Sequence, residues 1–184
     1  MYQKVIQRRY QVAKAGTRIS VLETGDVWTC TSFAGVNKQG IGFLAHFDGG
    51  ISTGVIDEII EELKKLDADF STFELRIATG LAGYVNPANW PTRIGIWWHV
   101  RKSGLFKTDR WWKRHWTEIW SLRFWWVFGV VVDTNTRTIK RSTFYHHTER
   151  KGEWVPRPPK GVNCWYTRWK AYRVGVKTVK RKKK

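Results

Sequence analysis

The sequence predicts an α/β fold, and three observations carry the prediction. Two strand-like runs, 28–34 and 41–47, flank Gly35-Val36-Asn37-Lys38-Gln39-Gly40, which has the composition of a hairpin turn. An amphipathic segment follows: Val55, Ile56, Ile59, Ile60, Leu63 and Leu66 recur at helical spacing, and Glu58, Glu61, Glu62, Lys64 and Lys65 fill the other face. Two further runs, 124–132 and 138–145, flank Asp133-Thr134-Asn135-Thr136-Arg137 as a second hairpin.

Taken in order, residues 17–24 are rich in β-branched side chains and predict a strand that ends at Gly25-Asp26. After the first hairpin, Ser52 or Thr53 can cap the helix, which runs to about Leu66 and lays its apolar stripe on the sheet. Residues 73–79 predict another strand, ended by Gly80-Leu81-Ala82-Gly83. Asn86-Pro87-Ala88-Asn89-Trp90-Pro91 reads as a loop, residues 93–100 as a strand, and residues 109–122 as a short helix carrying Trp111, Trp112, Trp116, Ile119 and Trp120. Pro156-Arg157-Pro158-Pro159 is a stiff linker, and residues 164–179 close the fold as a last strand or two.

With 184 residues, 42% of them hydrophobic and 13 of them Trp, the composition fits one globular domain and not a disordered chain. The expected division is one domain over residues 1–176, in halves 1–83 and 84–176, followed by a basic tail, 177–184. The net charge of +18 is uneven: most acids precede residue 75, and the remainder is strongly basic. Such a field concentrates anionic partners without choosing among nucleic acid, anionic lipid and an acidic protein face. Cys30 and Cys164 lie 134 positions apart and lack the spacing of a zinc site. The N-terminus has no apolar signal-peptide run and the longest apolar stretch, 124–132, is too short to span a bilayer, so a soluble protein is expected.

The first hairpin brings two chemically capable side chains together. If pairing is symmetric about Lys38, Cys30 lies directly opposite His46, and directly opposed residues share a sheet face with Cβ atoms roughly 4.5–5.5 Å apart. The imidazole could then take the thiol proton or hold the thiolate as an ion pair, which is what makes a cysteine nucleophilic. A third group normally fixes the ring, and Thr24 and Asp48 are both placed for it. The competing reading is that a thiol and an imidazole in apolar strands simply pack.

The run Thr24-x5-Cys30, Phe33-Ala34-Gly35, Gly40 and His46-Phe47-Asp48-Gly49 resembles the catalytic core of the protein-glutamine deamidases. That superfamily includes the chemoreceptor glutamine deamidases, the catalytic domain of cytotoxic necrotizing factor and the Burkholderia lethal factor. The resemblance spans about Val21 to Gly50 and implies a β-sandwich with flanking helices. It also implies Cys30 as nucleophile, His46 as general base and then acid, Thr24 as the third member, and a mechanism without metal or organic cofactor. Residues 1–83 would be the catalytic half. Thr29 stands where the family usually has a small residue before the cysteine, and Asp48-Gly49-Gly50 replaces the Pro-containing segment of the chemoreceptor enzymes.

On this reading the chain is a toxin- or effector-like deamidase, acting in the bacterial cytoplasm or a target-cell cytosol on a protein that carries an exposed glutamine and an acidic docking face. A transglutaminase side activity follows if a lysine amine intercepts the thioester. The alternatives are a chemoreceptor deamidase and a non-enzymatic, nucleic-acid-binding domain. The last draws on the Trp residues set among Arg and Lys in the basic half, a pattern that can stack bases and bind phosphates.

Overall fold

The computed structural model describes residues 2–5, 9–27, 30–47, 53–79, 87, 90–107 and 128–142. They form a mixed α/β structure of eight strands and two α-helices: β1 (Tyr2–Lys4), β2 (Arg9–Lys14), β3 (Val21–Val27), β4 (Thr31–Val36), β5 (Ile41–Phe47), α1 (Val55–Lys64), β6 (Glu74–Thr79), α2 (Trp90–Ser103), β7 (Phe128–Asp133) and β8 (Thr138–Ser142). A 3-10 turn, Phe70–Thr72, precedes β6. The strands make two four-stranded sheets, ordered β1-β3-β7-β8 and β2-β5-β4-β6. All pairs are antiparallel except β1 with β3.

The β4–β5 turn sets the register on which the site depends. Gly40 N–H donates to Asn37 C=O at 3.1 Å and Asn37 N–H to Ile41 C=O at 2.9 Å, which closes a three-residue loop whose last member is left-handed. That member is Gly40, at φ +76°. The Asn37 side chain fixes the loop from inside, accepting from Gln39 N–H at 3.0 Å and Ile41 N–H at 2.9 Å. Pairing is therefore centred on Gln39: Ser32 faces His46 and Thr31 faces Phe47. The register symmetric about Lys38 is corrected by two residues, because the loop's left-handed position takes the glycine. A shift of two keeps each side chain on its face, where a shift of one would have reversed it.

Strands β4 and β5 are buried along their whole length, so both faces are covered. Gly42 and His46 lie on the face turned to the other sheet. A Cβ at Gly42 would meet Val132 at 2.9 Å and Thr134 at 3.1 Å, and His46 reaches Thr24 of β3. The opposite face carries Phe33 and Phe43, with ring centroids 4.9 Å apart, and continues through Phe73 to Phe106 beyond α2. The α1 side chains Val55, Ile56, Ile59, Ile60 and Leu63 join the same core. Asp57 and Glu58 sit in the first turn of α1 and Lys64 in its last, complementing the helix dipole. Tyr10 of β2 donates to Glu62 at 2.9 Å, and Asp57 meets His99 of α2 at 3.0 Å.

Several expectations change. The strand expected over 17–24 begins at Val21 and runs through Gly25-Asp26, which form an irregularity in place of an end. Gly54 is the N-cap of α1 and makes no side-chain bond; of the two expected caps Thr53 offers its carbonyl, to Ile56 N–H at 3.0 Å, and Ser52 lies outside the described residues. Residues 93–100 are helical: Thr92, Ile96 and Val100 recur at intervals of four and are all 0% exposed, so burial along one helical stripe outweighs their β-branched and aromatic neighbours. Trp90 and Pro91 belong to that helix, with Pro91 in the first turn, where proline fits. Strands β1 and β2 lie in a stretch where no element was expected. The second hairpin is present, its Asp133 side chain accepting from Asn135 N–H at 2.9 Å and Thr136 N–H at 3.2 Å. The helix expected over 109–122, the linker at 156–159, the last strands and the tail lie outside the described residues, as does most of the Trp-rich half.

Gly40→Ala should lower the unfolding free energy by about 1–3 kcal/mol, from a left-handed backbone and a Cβ placed against Thr134 C=O. That oxygen is 2.8 Å from the added atom and belongs to the backbone, so it cannot swing aside. Urea denaturation of the variant would measure the loss; unchanged stability would contradict the turn geometry.

Candidate active site

His46 is held among three strands. On β5 it is 1% exposed, flanked in the sheet by Ser32 of β4 and Arg9 of β2 as its direct cross-strand neighbours. From the opposing sheet Thr24 Oγ1 lies 2.7 Å from Nδ1. Thr24 is itself 2% exposed, so this is a buried bond and its loss would leave a desolvated ring nitrogen. Of the two groups expected to orient the ring, Thr24 makes the contact; Asp48 lies outside the described residues.

The bond follows from local sequence. Strand β3 spends three steps from Thr24 to Val27 where β7 spends two from Val130 to Phe128, so the extra residue of a bulge falls immediately after Thr24. Bulges bend the strand and re-aim a side chain, and they recur beside active sites. Here Gly25-Asp26 supply that irregularity, and the chain then returns to Cys30.

Cys30 is a buried thiol immediately before β4. Its carbonyl accepts from Thr79 Oγ1 at 2.8 Å, which ties the start of β4 to the end of β6. Because Ser32 occupies the position directly opposite His46, Cys30 stands two residues further along, on the diagonal. Diagonal neighbours are about 7–8 Å apart at Cα and their side chains converge further. Direct opposition is thus corrected to a diagonal relation, with alternation still favouring a shared face.

Ser32 and Arg9 were not singled out from the sequence. Ser32 Oγ donates to Ala78 C=O at 3.2 Å, which engages its proton in the sheet and leaves the sulfur as the stronger nucleophile candidate. It would have been found by taking Gly40 as the left-handed loop position. Arg9 is 7% exposed, and the alternation of β2 is too weak to announce a buried cation. No group of three or more His, Cys, Asp or Glu side chains suited to a metal occurs among the described residues.

Electrically the arrangement has a direction. If Nδ1–H donates to Thr24 Oγ1, the Nε2 lone pair is left as the base. If Thr24 donates instead, Nε2 carries the proton and can act only as an acid. Thr24→Val keeps the shape and removes the bond, and it is expected to cost about 1–3 kcal/mol of stability and to redistribute the His46 tautomers. Nitrogen-15 spectra of the ring would show this; identical tautomer populations would remove Thr24 from the site. Compared with models of known protein families and with curated proteins, the sequence finds no match.

Proposed function

We propose that the chain is a cysteine-dependent amidohydrolase that converts a glutamine of a target protein to glutamate, in the manner of a toxin or effector. The observation that carries this reading is the buried 2.7 Å contact between Thr24 and His46 Nδ1, with the one described thiol two residues along the adjacent strand start. A histidine needed only for packing gains little from so specific a partner on another sheet. The approach of the two sheets at Gly42 and His46 also suits the β-sandwich of the deamidase superfamily.

The chemistry balances without a cofactor. Cys30 thiolate attacks the carboxamide carbon, and backbone N–H groups near Cys30 would stabilise the oxyanion. The tetrahedral adduct expels ammonia, which takes a proton from His46, and a thioester remains. The same imidazole then removes a proton from water as it attacks the thioester. Glutamate leaves and the thiolate returns. A lysine amine arriving first would give transglutamination.

Cys30, at 6% exposed, is the least buried of the three, and the proposed substrate amide would approach from its side. A second reading is favoured by the charge of +18 and by exposed Trp side chains: a nucleic-acid-binding domain in which Cys30 and His46 only pack. The favoured target remains a protein with an acidic face, and the chemoreceptor and effector settings differ only in which protein that is.

Mass spectrometry of candidate target proteins incubated with the wild type should reveal an amide-to-acid change at one glutamine. With Cys30→Ser the change should slow at least about 10³-fold. Iodoacetamide near neutral pH should label Cys30 well before Cys164. Slow labelling of both, with nucleic-acid affinity that falls steeply with salt, would favour the binding-domain reading instead.

A further inference from the structure

Helix α2 is apolar on two opposite sides. Thr92, Ile96 and Val100 form the inward row, all 0% exposed. Trp90, Ile94 and Trp98 form a second row, also at intervals of four, and are 53%, 62% and 58% exposed. The offset of two residues between the rows is about 200° of helical turn, so they point in opposite directions. A helix that packs one stripe on its domain normally turns polar residues outward. Here, the large apolar side chains exposed among the described residues all fall in the outer row.

Charge and position extend the pattern. Helix α2 contains no Asp or Glu, and Arg101 and Lys102, both exposed, continue the outer side one turn beyond Trp98. Phe106, just past α2, packs on Phe73, just before β6, with centroids 5.5 Å apart. Strand β6 ends at Thr79, which holds the Cys30 carbonyl. Gly95 lies against Thr53 and His99 meets Asp57, so α2 runs alongside the first turns of α1, the helix that follows β5 and His46.

We infer that the outer row of α2 is a docking ridge for a protein partner whose surface joins an apolar groove to acidic side chains. Resting on the deamidase reading, that partner is the glutamine-bearing substrate. The row is about 12 Å long, the scale of a hot-spot cluster, and Trp with a flanking Arg is the composition such clusters favour. Lasting attachment to a membrane takes a larger apolar face or a second anchor. A single strand of nucleic acid would call for cations beside each aromatic, whereas the exposed ones here gather at one end. The acidic groups of the partner belong opposite Arg101 and Lys102.

The test uses the full chain and a fluorescein-labelled helical peptide with a leucine stripe, glutamates along one border and one glutamine. Anisotropy should show binding that weakens at least tenfold in Ile94→Asp and in Trp98→Ala, with circular dichroism unchanged because both side chains are exposed. Arg101→Glu combined with Lys102→Glu should weaken binding of this peptide and strengthen binding of a version with lysines in place of the glutamates. Cys30→Ser should bind like the wild type, so binding without ammonia release would defeat the deamidase reading alone. The ridge falls if the peptide does not bind, if these substitutions leave binding unchanged, or if phosphatidylglycerol vesicles or oligo-dT engage the row and the peptide does not.

Discussion

A turn of three residues governs what His46 can touch. The loop Lys38-Gln39-Gly40 ends in a left-handed glycine, and that single backbone angle centres the β4–β5 ladder on Gln39. From the ladder follow the rest of the placements: Ser32 beside the imidazole, Cys30 on the diagonal, and the ring turned toward the other sheet. The turn is held from a second direction as well. The Gln39 side chain accepts from Asp69 N–H at 2.6 Å, and Asp69 accepts from Ser71 through both backbone and hydroxyl, which holds its carboxyl below the usual range. The segment leading into β6 thus braces the hairpin whose far end carries the site.

Where one physical signal dominated, the sequence was readable. The α1 stripe repeats so regularly that only a helix can bury it, and β5 was bounded as found. The second hairpin was equally plain, since Asp133 supplies the side-chain acceptor its turn requires. Segment 93–100 failed because β-branched and aromatic residues describe a strand locally, while their burial obeys a period of four that becomes legible only once Thr92 is counted with them. Strands β1 and β2 failed for a different reason. Arg9, Gln11 and Lys14 are polar, and what makes β2 a strand is its long-range pairing with β5.

The candidate site divided along the same line. Thr24, Cys30 and His46 were all visible as residue types at suggestive spacing, and the contact between Thr24 and His46 is present. The neighbours contributed by pairing, Ser32 and Arg9, were not visible, because their relation to His46 depends on a register and on a strand that local pattern does not specify. A correct reading of Gly40 would have recovered Ser32. Nothing in local sequence would have recovered Arg9.

Burial gives the three central groups unequal tasks. Thr24 and His46 come from different sheets, so the bond between them is as rigid as the contact of those sheets, and Gly42 brings the sheets close enough for it to form. A ring so fixed can present one nitrogen in one direction with little cost of reorganisation, which is what a base in a dry site requires. Cys30 is placed otherwise: it precedes its strand, anchored by its carbonyl to Thr79. Under the proposed reading His46 would be the fixed base, and Cys30 the nucleophile that meets the carbonyl carbon from the start of its strand.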